Sequence, residues 1–189
     1  MSEAKQAMRS EMRRSCGEIS AAQSRAACIG LCELLWAADG LLQAAHRVDA
    51  VLMAFMPLLD EIDPTRAMQR WLDEGGRLAV PVSTWEDRGM EAHEITSLDA
   101  AAFDITRHGI REPRDAPHVP VDQLSAILVP GVAFERTGGR LGRGAGFYDR
   151  YLSRVSPTCA IIGVCHRVQV VPSVPCDPHD RPVKHIVAV

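Results

Sequence analysis

The segment 129–152 reads VPGVAFERTGGRLGRGAGFYDRYL and concentrates the residue types that bind phosphate. Gly138, Gly139, Gly142, Gly144 and Gly146 are interleaved with Arg140 and Arg143, and Phe147-Tyr148-Asp149 follows at once. Glycines at this density let main-chain N–H groups turn toward an anion at close range, because no Cβ intervenes. The two guanidiniums add paired donors suited to phosphate oxygens. Asp149 supplies a carboxylate that can hold a divalent cation against the same phosphates. The apolar run Ala126-Ile127-Leu128-Val129 ahead of the loop predicts a buried strand, and Tyr148–Val155 behind it predicts a helix. Strand, glycine loop and helix together set phosphate at a helix N-terminus. The expected ligand is a nucleotide, although neither common phosphate loop is present. A Walker A loop requires Lys-Ser/Thr after its last glycine, where this chain has Ala145-Gly146. The dinucleotide fingerprint fails because Phe147 or Asp149 stands where its third glycine belongs.

Three further groups carry chemistry of their own. Lys5, Arg9 and Arg13 recur at i, i+4, i+8 and so share one helix face. Alone, such a stripe reads as a solvated face; beside the glycine loop it also reads as a second cationic arm toward the same polyphosphate. Asp60 and Glu61 follow the end of a predicted strand, where open α/β sheets bind ligands. A carboxylate there either accepts N–H groups of a heterocycle, acts as an acid or base, or is simply a loop acid, and the spacing leaves these readings open. Met53, Phe55 and Met56 nearby suit an apolar slot or the core. Asp177, His179 and Asp180 form an acidic cluster too poor in nitrogen and sulfur for zinc. Asp180 opposite Asp149 is the better Mg²⁺ candidate.

The elements that must position these groups follow from capping and periodicity. Ser2 caps a first helix running to about Gly17, and Ser20 with Gln23 forms a capping box for a second that ends near Gly40. Val48–Phe55 predicts a buried strand, and Asp63-Pro64 predicts an N-cap and first-turn proline for a helix over Thr65–Glu74. Further strands are predicted at Arg77–Val82, Met90–Ile95, Ala160–Cys165 and Ile186–Val189, with a short helix from Ser97 and loops over Gly109–Pro120 and Pro172–Pro182. Apolar strands alternating with helices predict an α/β fold: three layers in a single domain over 1–189, a mainly parallel sheet flanked by helices, and a helical N-terminal arm at about 2–40.

Composition narrows the class of partner. Hydrophobic residues make up 47% of the 189 and charged residues 24%, as in soluble globular proteins. A net charge of -3 disfavours broad binding to nucleic acid or to a membrane surface. The charged start MSEAKQAMRSEMRR lacks the apolar core of a secretory signal, so a cytoplasmic location is expected. The six cysteines show no paired CxxC spacing and are expected as free thiols, with Cys28 and Cys32 packing on one helix face.

With these residues in hand, the chain resembles the 5-formyltetrahydrofolate cyclo-ligase family, also called methenyltetrahydrofolate synthetase. The resemblance is carried most specifically by VPGVAF…GGRLGRGAGFYDRYL. Weaker matches in the same order are Lys5-x-x-x-Arg9, Phe55 with Glu61-Ile62-Asp63, Val80-Pro81-Val82, Gly109-Ile110-Arg111-Glu112-Pro113, Gln169 and His179-Asp180. The resemblance implies a fold similar to the ribose-phosphate isomerase and CoA-transferase group. It also implies an ATP- and Mg²⁺-dependent closure of 5-formyltetrahydrofolate to 5,10-methenyltetrahydrofolate, with release of ADP and phosphate. Carried over by position, ATP is expected on Lys5, Arg9, Arg140, Leu141, Gly142, Arg143, Gly144, Ala145, Gly146, Phe147 and Tyr148. Folate is expected on Met56, Glu61, Arg143, Gly144, Ala145, Gly146 and Phe147, and Mg²⁺ on Asp149 and Asp180. Arg140, Arg143 and Lys5 are the expected catalytic residues. The expected partners are small molecules, and the expected state is a monomer with no nucleic-acid or membrane partner. Ala145, His166 and Lys184 depart from residues common among relatives. Two rivals are a non-catalytic nucleotide- or RNA-binding module, and a sugar-phosphate isomerase that would need a base beside the loop and would ignore ATP.

Overall fold

The computed structural model describes residues 3–189, so the cap expected of Ser2 lies outside the described residues. In chain order the elements are α1 (Glu3–Gly17), α2 (Ala21–Leu35), α3 (Leu41–Ala45), β1 (Val51–Met53), α4 (Thr65–Asp73), β2 (Arg77–Thr84), β3 (Gly89–Ile95), β4 (Phe103–Ile105), β5 (Arg111–Pro113) and β6 (His118–Val119). There follow β7 (Leu124–Val129), β8 (Ala133–Glu135), β9 (Arg140–Leu141), α5 (Phe147–Leu152), β10 (Ala160–Cys165), β11 (Val170–Val171) and β12 (His185–Ala188).

The main sheet has the order β12-β10-β7-β1-β2-β3-β6. Neighbours from β12 through β2 run parallel, and β3 pairs antiparallel with both β2 and β6. Alternate side chains of each strand enter different cores, as a period of two requires. Leu52, Leu78, Val80, Ala126 and Leu128 meet Leu31, Leu35, Leu42, Met68 and Trp71 of α2, α3 and α4 on one face. Val51, Met53, Ala79, Ile127 and Val129 meet Phe134, Tyr151 and Leu152 on the other. The result is a mainly parallel sheet between two outer layers. No helix among the described residues is long and apolar enough to cross a membrane.

The connectivity creates a ligand crevice. After β1 the chain builds outward to β2 and β3, then returns to lay β7 on the opposite side of β1. Loops leaving the C-terminal ends of β1 and β7 therefore diverge, and open α/β sheets bind ligands at such a switch point.

Several local expectations are corrected. α2 keeps its capping box but stops at Leu35 with Trp36 as C-cap, and Gly40 instead opens the short α3. The strand expected over Val48–Phe55 is confined to β1, because Asp49 has a positive φ of 61° and Val48 points into water. Pro64 occupies the N-cap of α4, one position earlier than expected, and the Asp63 carboxylate accepts the Thr65 N–H at 2.8 Å. The helix from Ser97 is a single 3₁₀ turn at Ala100–Ala102, and the Gly109–Pro120 loop contains β5 and β6.

Candidate functional site

The largest correction falls on the glycine-rich segment, which is not one open loop. It folds back as β8 and β9, which join β11 in a small second sheet. Arg140 and Leu141 are thus buried strand residues. The helix behind them, α5, spans six residues, shorter than Tyr148–Val155. Gly146 caps it with φ +75°, a left-handed conformation that costs glycine little.

What holds this small sheet down is an aromatic slot. Phe134 on β8 is fully buried, with its ring edges against Gly131 and Gly163. A Cβ built at Gly163 or Gly131 would lie 2.5 or 2.6 Å from the ring, so only glycine leaves it room. Phe134 is the cross-strand partner of Arg140, and the ring that anchors β8 thereby fixes β9. Gln169 braces the same corner by donating to the carbonyls of Gly131 at 2.8 Å and Val132 at 3.0 Å. α1 lies across the small sheet, packing Met12 and Met8 on Ala133, Leu141 and Val174. Its Lys5 and Arg9 are thereby carried over β9, where Arg9 donates to the Gly142 carbonyl at 2.9 Å. Arg13 is exposed and lines a separate, smaller hollow.

These elements enclose a cavity of about 800 Å³, within the ~300–1,000 Å³ usual for small-molecule sites. Every residue that the sequence offered for ATP, folate or metal lines it: Lys5, Arg9, Met56, Glu61, the run 140–149 and Asp180. Phe55 joins them, whereas Met53 is core. The cationic groups are ordered by acids. Arg140, 5% exposed, donates Nη2 to Asp149 Oδ1 at 2.7 Å. Asp149 Oδ1 also accepts the Arg181 N–H at 3.1 Å. Arg143 donates Nε to Glu61 Oε1 at 3.0 Å and Nη2 to Asp60 Oδ1 at 2.5 Å. Glu61 in turn accepts the Leu58 N–H at 3.0 Å. Burial opposes the charge on Arg143, but the two carboxylates outweigh it and raise its pKa.

Lys5 Nζ lies 2.7 Å from Asp177 Oδ2 and 2.5 Å from Asp180 Oδ2. Burial works against charge on Lys5 and Asp180, yet their mutual hydrogen bonding and attraction prevail: Lys5 is held above the usual lysine value and Asp180 below the usual carboxylate value. The sign of each fixes a pH window. Lys5 stabilises the fold below its unfolded pKa and ceases to as pH rises through its raised folded value; Asp180 stabilises above its unfolded pKa and ceases to as pH falls through its lowered one. The stability difference between the wild type and Lys5→Met should be level from about pH 4 to about pH 10 and shrink outside that range. Denaturant titrations of both proteins across pH check this, and a difference that persists in acid would assign it to packing instead.

Several polar atoms of the residues that line the site are buried with no protein partner. Among the described residues, Arg140 Nε, Tyr148 Oη and Trp85 Nε1 are out of reach of water and unbonded, and all three side chains line the cavity. Trp36 Nε1, His46 Nε2 and Tyr151 Oη are likewise unpartnered, and these lie away from the cavity. Burial also raises the Tyr148 pKa, keeping its hydroxyl protonated as a donor. Asp177, His179 and Asp180 present ligand atoms within 4.8 Å of one another; Asp149 is outside that group.

Sequence reasoning missed Trp85, Arg88, Arg111, Arg150 and Arg181, all of which line the cavity. Trp85 and Arg88 follow the C-terminal end of a parallel strand, the position that singled out Glu61, and that signal was there to be used. Of the departures, Ala145 gives its carbonyl to Arg150 Nη2 at 2.8 Å. His166 is buried and bonds Gln169 Oε1 through its N–H at 2.9 Å. Lys184 points away from Asp180, to the Cys159 carbonyl at 2.8 Å.

A sequence model described as the 5-formyltetrahydrofolate cyclo-ligase family matches residues 1–189. The 5-formyltetrahydrofolate cyclo-ligase of Mycolicibacterium smegmatis is 32% identical over 143 residues, 71% of this chain and 71% of that one. The mouse protein of the same name is 26% identical over 145 residues, 70% of each. The NMR structure of Aquifex aeolicus 5,10-methenyltetrahydrofolate synthetase superposes with a TM-score of 0.80 at 28% identity, covering 97% of this chain and 89% of that one. The Mycoplasma pneumoniae protein of that name, at 17% identity and a TM-score of 0.75 over 96% of each chain, shares the fold.

Proposed function

The chain belongs to the 5-formyltetrahydrofolate cyclo-ligase family, and from that premise we propose that it closes 5-formyltetrahydrofolate to 5,10-methenyltetrahydrofolate while converting ATP to ADP and phosphate. The observation that carries this reading is the convergence on one cavity of a polyphosphate-type cation set (Lys5, Arg9, Arg140, Arg143), the carboxylates Asp149 and Asp180, and Glu61 beside an apolar wall.

The chemistry requires activation of a formyl oxygen, which is a poor leaving group. That oxygen attacks the γ-phosphorus of ATP; the new O–P bond forms as the bond to the β-bridging oxygen breaks, and ADP leaves. The N10 lone pair then attacks the formyl carbon, the C–O bond breaks with its electrons leaving on phosphate, and N10 loses its proton. No protein nucleophile is needed. Arg140, Arg143, Lys5 and Arg9 stabilise charge on the transferring group, which is mainly positioning and electrostatics. Tyr148 offers its protonated hydroxyl as a further donor. Glu61 accepts N–H groups of the pterin, taking it from Arg143, which keeps Asp60 as its partner.

Asp149 and Asp180 fit Mg²⁺: both are hard oxygen donors with side chains 18% and 16% exposed, and both line the cavity. Bound there with ATP, Mg²⁺ would neutralise phosphate charge. The test is an absorbance assay for methenyl product with and without ATP and Mg²⁺; product formation that ignores ATP, or no product at all, refutes the proposal.

Glu61→Gln keeps the size of the side chain but loses its charge. The KM for 5-formyltetrahydrofolate should rise about tenfold or more, the scale of a charged hydrogen bond, with a much smaller effect on the KM for ATP. Equal changes in both would place Glu61 elsewhere than at the pterin.

A further inference from the structure

Beside the ligand cavity lies a second, smaller hollow of about 50 Å³. One water needs roughly 10–15 Å³, so the hollow takes a few waters or one tetrahedral oxyanion, and neither a nucleotide nor a pterin. The two spaces share a thin partition: Arg9, Gly131 and Arg143 line both. Lys5 lines only the large cavity, and Arg13 only the hollow. Successive members of this stripe on α1 are four residues apart, a rise of about 6 Å along a helix axis. The stripe therefore carries positive charge from the large cavity, past the partition and into the hollow.

The lining of the hollow favours an anion. Arg9, Arg13 and Arg143 are set there against a single acid, Asp60, which accepts from Arg143 Nη2 at 2.5 Å. Arg13 is exposed and forms no hydrogen bond or ion pair among the described residues. Arg9 is held in the partition by its Nε bond to the Gly142 carbonyl at 2.9 Å. Acceptors that would repel an anion are already answered. Gln169 donates to the Gly131 and Val132 carbonyls at 2.8 and 3.0 Å, and its own Oε1 accepts the His166 N–H at 2.9 Å. Burial, with Asp60 nearby, pushes the Cys16 thiol up, so the thiol adds no negative charge. The acceptors of this lining are occupied, and the donors of Arg13 are not.

We propose that this hollow is an oxyanion site that receives inorganic phosphate on its way out of the cavity. This deepens the ligase reading and rests on it, because that reaction makes phosphate between two larger products, ADP and the methenyl-folate. A product made there is confined by both, and the partition of Arg9 and Arg143 is a route that requires neither to leave first. Substrate binding also prepares the site. Once Glu61 turns to the pterin, Arg143 retains only Asp60, a residue of the hollow, and its charge is less fully answered. Arg13 then supplies an unengaged guanidinium whose paired N–H donors suit phosphate oxygens.

The test measures binding of radiolabelled phosphate by equilibrium dialysis, with the large cavity filled by β,γ-imido ATP and Mg²⁺. The wild type should take up one phosphate per chain with a Kd of about 1 mM, the scale of a few exposed charge-assisted hydrogen bonds. Arg13→Gln should weaken this about tenfold. Arg14→Gln, exposed on the same helix and outside both spaces, should leave it unchanged. Sulfate should displace the phosphate and further nucleotide should not, a wild-type readout that survives if Arg13→Gln fails to fold. No uptake beside the nucleotide, displacement by nucleotide, or full uptake by Arg13→Gln overturns the proposal. Rapid mixing with a fluorescent phosphate sensor tests the route: in Arg13→Gln, release of phosphate should lag about tenfold behind formation of methenyl product. Release that keeps pace in that variant overturns the route. Phosphate uptake beside the nucleotide with no methenyl product refutes the ligase reading and keeps the oxyanion site, while product without such uptake does the reverse.

Discussion

Phe134→Ala is expected to lower the stability of the fold by about 3–5 kcal/mol, the cost of emptying a packed phenylalanine site. The ring is fully buried, and its neighbours Gly131 and Gly163 have no side chains with which to collapse into the space. For a chain of this length that loss lowers the melting temperature by roughly 10 °C, readable by calorimetry. The effect should reach the chemistry. Phe134 is paired across β8 and β9 with Arg140, so turnover measured far below the melting point should fall as well. Gly163→Ala should act in the same direction from the other side of the slot, by overpacking. Full activity in a Phe134→Ala protein that melts early would show that β9 holds its position without the ring.

Arg140→Ala is expected to lower turnover of 5-formyltetrahydrofolate by about 100-fold or more, the size of effect seen when a pre-positioned donor is removed from a developing charge. The guanidinium is fixed through Nη2 on Asp149 and Nη1 on the Pro130 carbonyl at 3.4 Å, which leaves Nε without a protein partner. Arg140→Lys restores the charge but not the planar fork, and its loss should be smaller. Alanine also deprives Asp149 of its cation, leaving it the Arg181 N–H, so rates are to be compared below the melting point of each variant. Near-normal turnover in Arg140→Ala would remove the residue from the mechanism.

Much of this was legible in the residues because it is local. The Ser20–Gln23 capping box, the amphipathic face of α4 and the apolar parallel strands announce themselves within a few positions. Lys5 and Arg9 of the N-terminal helix and Arg140 and Arg143 of the glycine segment line one cavity, whereas Arg13, expected on the same face, does not. Hidden features depend on distant partners. β8, β9 and β11 are two or three residues long and exist only through one another, so no periodicity marks them. The burial of Arg140 could not be read from a stretch so rich in glycine, whose usual meaning is an exposed turn. Trp85, Arg88 and Arg111 are far apart from the glycine segment in the chain and gather only through the β2–β3 and β4–β5 turns. Short elements defined by long-range pairing are the part of a fold that sequence patterns describe least.

The ties from Lys5 to Asp177 and Asp180 join positions 172 and 175 residues apart, and they have a consequence for biosynthesis. In synthesis α1 precedes Asp177 and Asp180 by almost the whole described sheet, and until they are made the helix lacks these two carboxylates and the cavity one part of its wall. Closure of the binding site therefore waits on that segment, and termination between Cys165 and Asp177 would leave six of the seven strands of the main sheet without a finished pocket.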